Sequence, residues 1–121
     1  MLTDFYQTER YQLHEGVLNA TVKLNPQHDI FKGHFPNNPV MPGVCMLQIF
    51  KELSEQGLNK KLFIKECSNV KFMALINPEN HSVLDIVIGI SETEEGFKIK
   101  ASVTFDTTTA LKVSALLREQ L

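Results

Sequence analysis

Apolar and polar residues alternate along the last quarter of the chain. Between residues 97 and 105 every second residue is apolar, and the residues between them are lysine, serine and threonine. The alternation returns over residues 111–117, although Leu116 interrupts it. A period of two predicts strands with one buried and one solvated face. Asp106 and the three threonines after it are typical of a turn or a strand end.

Three further segments have the composition of strands. They are residues 17–24, at least one strand within residues 62–76, and residues 83–90. Asn-Pro at 77–78 ends the strand within residues 62–76. The Glu-Glu-Gly sequence at 94–96 predicts a hairpin turn after the strand at 83–90. Because short turns join consecutive strands, we expect a mostly antiparallel sheet.

One helix is predicted over about residues 42–56. Pro42 suits its first position, where a missing N–H is harmless, and Gly57 suits its end. Apolar residues cover every side of the first two turns, which predicts a helix buried all round with a polar end, KELSEQ, in water. The expected class is α+β: one domain over residues 1–121, with a sheet wrapped around this helix. A second subunit would cover the far side of the helix.

Composition and charge narrow the classes of partner. The chain has 121 residues, 43% of them hydrophobic and 21% charged, and a net charge of −2. This balance gives no reason to expect nucleic acid or an anionic membrane surface as a main partner. Lys60, Lys61, Lys65 and Lys71 lie close in sequence and could form a basic patch, although a solvated surface is the simpler interpretation.

The two cysteines indicate free thiols. Cys45 and Cys67 are too few and too far apart for a disulfide framework or a zinc site, so we expect no metal and no cofactor.

The N-terminus lacks the pattern of a signal peptide. No apolar run approaches the ~20 residues that span a membrane. The expected location is the cytoplasm, with no membrane partner.

The segment GHFPNNPVMPGV, residues 33–44, is the best candidate for chemistry. The first turn of a helix carries unpaired N–H groups and a partial positive charge, and Gly43 has no side chain to keep a ligand away. A carbonyl oxygen gaining negative charge could bind there. Three prolines stiffen the approach and could hold His34, a candidate base, near the helix start. The alternative is structural: a stiff connection with a structural histidine.

This segment resembles the active-site segment of the bacterial 3-hydroxyacyl-(acyl-carrier-protein) dehydratases of fatty-acid synthesis. The resemblance extends more loosely over the flanking segments, from about Val17 to about Leu116. It implies a hot-dog fold, in which a curved antiparallel sheet wraps around one buried helix, and it implies a dimer. Asn37 departs from the glycine that is usual in the family, but asparagine tolerates the left-handed backbone better than most residues.

The resemblance also implies residue roles. His34 would remove the α-proton of a 3-hydroxyacyl thioester, the Gly43 N–H would polarise the thioester carbonyl, and Phe35, Pro42 and Val44 would contact the substrate. The acyl group would be carried by an acyl carrier protein or by coenzyme A and would lie in a tunnel along the dimer interface. Carrier proteins are acidic, so the four lysines gain a docking role.

Gln48 is the main departure from the family. It stands where these enzymes keep a Glu or Asp that works with the histidine of the other subunit. An amide can donate a hydrogen bond but has no proton to give. General acid–base help is worth about 10²–10⁴ in rate, so we expect slow dehydration or none. Glu52, one helical turn later, stands where the family has Gln, as if the pair were exchanged. Glu52 could act through a bridging water, or could simply begin the exposed end of the helix.

Three hypotheses follow. The first is a dehydratase-like lyase working at His34. The second is a non-catalytic acyl-binding subunit in a heterodimer with an active homologue. The third is a thioesterase of the same fold. A homodimer, or a higher oligomer of dimers, is the expected assembly for the enzyme.

Overall fold

The computed structural model describes residues 4–32 and 40–121, and within them a single sheet packs against one long helix. His34, Phe35 and Asn37 lie outside the described residues. The elements in chain order are β1 (Tyr6–His14), β2 (Val17–Leu24), α1 (Asp29–Lys32), α2 (Gly43–Leu58), β3 (Leu62–Phe72), β4 (Val83–Thr93), β5 (Gly96–Phe105) and β6 (Thr108–Glu119).

The sheet has six strands in the order β1-β2-β4-β5-β6-β3. Every neighbouring pair is antiparallel, as the short turns predicted. Tight hairpins join β4 to β5 and β5 to β6, while β3 lies at the far edge and pairs with β6. The two edge strands are therefore β1, which opens the chain, and β3, which follows the long helix.

The period-two pattern sets the faces of β5 and β6. The buried residues Ala101 and Val113 face each other across the pair, and lysines occupy alternate exposed positions. Leu116, which interrupts the pattern, is opposite Lys98 on β5 and Glu66 on β3 and is nonetheless only 5% exposed. Long neighbouring side chains can cover such an apolar residue with their methylene groups.

The helix α2 differs from its prediction at both ends. Pro42 is extended, with φ −66° and ψ 139°, so it caps the helix and Gly43 is the first helical residue. The helix continues through Gly57 to Leu58 and ends at Asn59, whose left-handed backbone has φ 54° and ψ 46°. Asparagine takes this conformation at little cost and can replace glycine there. In the parts of the chain described, no helix combines the length and apolar character needed to cross a membrane.

Gly57 has a different role from the predicted one. A Cβ atom at this position would lie 2.6 Å from the Tyr11 hydroxyl oxygen. The same hydroxyl donates a hydrogen bond of 3.1 Å to the Leu53 carbonyl. Gly57 thus allows strand β1 to approach the helix closely. The helix does not end at this glycine.

The sequence predicts a helix buried all round once a second subunit covers its far side, and the single chain buries the side that faces the sheet. The sheet covers one side of α2, where the buried residues are Cys45, Met46, Ile49, Phe50, Leu53 and Ser54. On the other side Val44 is 73% exposed, and Gln48 and Glu52 are half-buried. The KELSEQ end is not simply in water either, because Leu53 and Ser54 lie within it. One sheet has only one face to offer, so among the described residues the side of the helix that carries Val44, Gln48 and Glu52 is less well covered than the sheet side.

The first strand was not predicted. Strand β1 pairs with β2 through a two-residue turn at Glu15 and Gly16, which have φ values of 51° and 79°. Two consecutive positive φ angles are typical of the tight turns that join hairpin strands. The Glu-Gly pair was the available signal, but the polar residues before it concealed the strand.

Candidate functional site

The start of α2 is held in place by the segment that precedes it. The buried Met41 donates its backbone N–H to the Ile76 carbonyl at 2.8 Å. The Pro42 carbonyl accepts hydrogen bonds from the N–H groups of Cys45 and Met46 at 3.1 and 3.4 Å. The N–H of Gly43 lies in the first turn, where no carbonyl of the same helix can accept it, and at the positive end of the helix dipole. The fold thus presents the polar group predicted at Gly43 on an anchored helix start.

An aromatic side chain packs on Gly43. A Cβ atom there would lie 2.8 Å from Cζ of Phe72, the last residue of β3. A larger residue would need this ring to shift, so the glycine lets Phe72 lie close to the helix start. Phe72 itself is 62% exposed.

Phe72 belongs to an apolar surface beside the helix start. We call it the helix-start surface and define it by four exposed residues: Val44, Phe72, Met73 and Leu75. Exposed apolar patches on folded proteins commonly mark sites of interaction. Val44, predicted to contact substrate, lies on this surface, and Pro42 lies at its border as the helix cap.

Gln48 and Glu52 contact each other. The Gln48 Nε2 atom donates a hydrogen bond of 2.8 Å to Oε2 of Glu52, one helical turn later. Residues four apart share a helix face, and here that face is the one the sheet leaves uncovered. Glu52 therefore does not begin an exposed tail, as one interpretation of the sequence held.

Tyr6 holds the other oxygen of Glu52. Its hydroxyl, which extends from the start of β1, donates a hydrogen bond of 2.8 Å to Oε1 of Glu52. Burial raises the pKa of the Tyr6 phenol, and the hydrogen bond to Glu52 and the negative charges of Glu52 and Glu55 raise it further. The phenol therefore keeps its proton and donates it in the hydrogen bond to Glu52. Sequence reasoning missed Tyr6 because it missed the strand that carries it.

The structure brings together most of the predicted site residues that it describes. Val44, Gln48 and Glu52 are four residues apart along α2 and lie on its uncovered side, with Gly43 at the first position. The placement of His34 beside Gly43 stays a prediction, since His34 and Phe35 lie outside the described residues.

The cysteines and lysines have less direct relations to this site. Burial raises the pKa of the Cys45 thiol, which lies on the sheet side of α2, whereas Cys67 is exposed. Of the four lysines proposed as a patch, Lys60 forms an ion pair of 3.3 Å with Glu119. The other three are exposed: Lys61, Lys65 and Lys71.

Comparison with known proteins shows the family. The family model described as ApeI-like, ApeI dehydratase, matches residues 9–111. Two proteins named 3-hydroxyacyl-(acyl-carrier-protein) dehydratase FabZ are similar in sequence. The one from Rickettsia typhi is 37% identical over 82 residues, covering 58% of this chain and 54% of its own length. The one from Rickettsia massiliae is 30% identical over 115 residues, covering 87% of this chain and 76% of its own length.

The chain belongs to the ApeI-like dehydratase family, and the resemblance seen in the sequence is confirmed. The chain spans only about half the length of the Rickettsia typhi relative. The solved structure of the dehydratase heterocomplex ApeI:P from Xenorhabdus doucetiae matches with a TM-score of 0.80, over 93% of this chain and 97% of that chain, at 21% identity. This likeness confirms the hot-dog fold.

Proposed function

We propose that the protein dehydrates a 3-hydroxyacyl thioester at a site formed by His34, Gly43 and Gln48. The observation that carries the proposal is the first part of α2, where the Gly43 N–H has no acceptor within the helix and the Gln48 amide lies little more than one turn further along. Membership in a dehydratase family supports it. The carrier of the acyl group is an acyl carrier protein or coenzyme A.

The proposed reaction is an elimination. His34 takes the α-proton while the thioester carbonyl oxygen, gaining negative charge, accepts a hydrogen bond from the Gly43 N–H. The electron pair of the broken C–H bond forms the double bond between the α- and β-carbons, and the C–O bond to the β-hydroxyl breaks. The hydroxyl leaves as water with one additional proton.

The source of that proton is the difficulty that Gln48 raises. Gln48 can donate a hydrogen bond to the leaving hydroxyl but cannot protonate it. Glu52 accepts hydrogen bonds from Tyr6 and Gln48 and lies one helical turn beyond the position where the family has its acid. We therefore assign the proton to the imidazolium of His34, which returns the proton it removed.

A second subunit completes this site in the proposal. The uncovered side of α2 and the helix-start surface need a cover, and the edge strand β3, eleven residues long, has unpaired backbone groups along the side that does not face β6. We propose a dimer that shares the site along its interface, with the acyl group between the subunits. The exposed lysines Lys61, Lys65 and Lys71 suit an acidic carrier protein at its edge.

The test is the loss of water from 3-hydroxyacyl thioesters, followed by mass spectrometry of the carrier-bound acyl group. The wild-type protein should yield the 2,3-unsaturated thioester, and His34→Ala should abolish the product while leaving the circular dichroism spectrum unchanged. Equal turnover by His34→Ala would refute the proposed role of His34.

Gln48 favours one alternative function. An amide at the acid position fits a non-catalytic subunit that binds an acyl thioester and pairs with an active homologue, and the matching Xenorhabdus doucetiae structure is itself a heterocomplex. This alternative predicts binding of the thioester without turnover by the purified chain, and turnover only after a partner is added. A thioesterase would instead release free thiol, which a thiol-reactive dye detects in the same reaction.

A further inference from the structure

Three side chains from two elements form a continuous hydrogen-bonded chain across the site face of α2. The Tyr6 hydroxyl donates to Oε1 of Glu52, and the Gln48 amide donates to Oε2 of the same carboxylate, both at 2.8 Å. We infer that Tyr6 is a positioning residue that acts through Glu52 to fix the orientation of the Gln48 amide toward the substrate. This inference rests on the proposed function.

Glu52 determines which end of the amide faces it. A carboxylate oxygen only accepts hydrogen bonds, whereas the Gln48 amide has one end that donates and one that accepts. Only Nε2 can therefore face Glu52, since the reversed amide would bring two acceptors together. Gln48 is left with its Oε1 and its second N–H for the leaving hydroxyl or the partner subunit.

Tyr6 is needed because the helix contact alone is weak. An isolated pair of side chains one turn apart on a helix contributes little to stability. A hydrogen bond to a charged group is stronger, and partial burial of both residues strengthens it further. Because Tyr6 comes from β1, it ties the carboxylate to a second element and prevents its rotation away from Gln48.

Glu55 and Lys51 do not replace Tyr6. Lys51 forms an ion pair of 3.5 Å with Glu55, and a second oxygen of Glu55 accepts the backbone N–H of Leu62 at 2.8 Å. These contacts fix the next turn of α2 to β3. Glu52 is held from another element by the Tyr6 hydroxyl.

The test compares two variants that each remove one phenolic oxygen from β1. Tyr6→Phe removes the donor to Glu52, and Tyr11→Phe removes the donor to the Leu53 carbonyl on the same helix. With a 3-hydroxyacyl thioester, Tyr6→Phe should lower kcat by about 10-fold to 100-fold with little change in KM, because misplacing a catalytic group has costs of this order. Tyr11→Phe should stay close to wild type.

A double variant shows whether Tyr6 acts through Glu52. If it does, Tyr6→Phe should have little further effect on kcat in a Glu52→Gln background. Independent, multiplying effects of the two substitutions would overturn the inference, and so would a kcat of Tyr6→Phe equal to that of wild type.

Nuclear magnetic resonance separates this inference from the proposed function. The two side-chain amide protons of Gln48, assigned by their loss in Gln48→Ala, should be distinct and slow to exchange in the wild-type protein. In Tyr6→Phe they should move toward the shifts of a solvated glutamine, and in Tyr11→Phe they should not. A protein without turnover whose Gln48 signals respond in this way refutes the reaction and leaves the positioning role supported. Signals that do not respond refute the positioning role.

Discussion

Gln48 is the residue that bears most on whether the proposed reaction can occur. Its amide can donate a hydrogen bond to a hydroxyl group but cannot protonate it. The carboxylate that it contacts, Glu52, lies one helical turn beyond the position where the family has its acid. Its identity could be read from the sequence, and so could the exchange with Glu52. The sequence did not predict that Gln48 and Glu52 contact each other, or that Tyr6 donates a hydrogen bond to Glu52. The strand that carries Tyr6 has no apolar periodicity, so it was missed.

Exchanging the two side chains tests this directly. The double variant Gln48→Glu with Glu52→Gln restores an acid at position 48 and keeps a hydrogen bond between the two positions. If the missing acid limits the reaction, dehydration should become faster, by up to about 10²–10⁴-fold. Steady-state formation of the unsaturated thioester measures the change, with Glu52→Gln alone as the control. A double variant no faster than wild type would mean that the acid position does not limit the rate.

Tyr6 makes a separate prediction about stability and pH. Folding raises the pKa of Tyr6 above the ordinary phenol value of 10.0, so the folded protein holds this proton more tightly than the unfolded chain. The resulting stability is fully present below about pH 10 and is lost as the pH rises above that value. The free energy of unfolding in urea, measured from pH 8 to pH 11, should therefore fall more steeply for wild type than for Tyr6→Phe.

Tyr11→Phe is again the control for that measurement. Burial alone raises the pKa of Tyr11, without the neighbouring carboxylates that act on Tyr6. Its removal should flatten the alkaline decline less than the removal of Tyr6. Equal slopes for wild type and Tyr6→Phe would show that the Tyr6 phenol titrates alike in both states.

At the scale of the elements, the strands with a clear period of two were predictable and the edges were not. In β5 and β6 one face is core and the other is solvent, so the pattern follows the burial. Strand β1 is mostly exposed, and apart from Tyr6 and Tyr11, which pack against the core, it has little burial to impose a pattern. The sequence also misplaced the helix end, because glycine at position 57 serves the approach of Tyr11, a contact between distant residues.

Gly57 can be tested by adding one methyl group. Alanine is favoured over glycine inside a helix by about 1 kcal/mol, but its Cβ would lie 2.6 Å from the Tyr11 hydroxyl oxygen. Gly57→Ala should therefore destabilise the protein by about 1–2 kcal/mol, since the ring must shift and lose its hydrogen bond to Leu53. Urea unfolding measures this change.

The Tyr11→Phe background gives the matched comparison. It removes the oxygen that the new methyl group would meet, so the cost of Gly57→Ala should fall by about 1 kcal/mol or more. The same cost in both backgrounds would assign the effect to another neighbour, such as Leu13.

For the whole molecule, the sequence predicted the class of fold, because alternating strands around one helix leave few arrangements. It predicted a helix buried all round, and the single chain covers only one side. The two statements agree if another subunit covers the remaining side, which the proposed dimer supplies. The apolar positions around the helix indicated a second subunit, but a residue of that subunit working with Gln48 or Glu52 could be anticipated only from the resemblance.

The dimer can be tested with two valines that are equally exposed. Val70 is 41% exposed on the edge strand β3, and Val87 is 40% exposed on the interior strand β4. If β3 forms the subunit interface, Val70→Glu should convert the dimer to a monomer, because the charge would be buried opposite the partner strand. Val87→Glu should leave the dimer intact. Light scattering coupled to size-exclusion chromatography measures both masses.

Because the proposed site is shared between subunits, turnover should be lost together with the dimer in Val70→Glu. A fully active monomer would show that one chain carries the whole site.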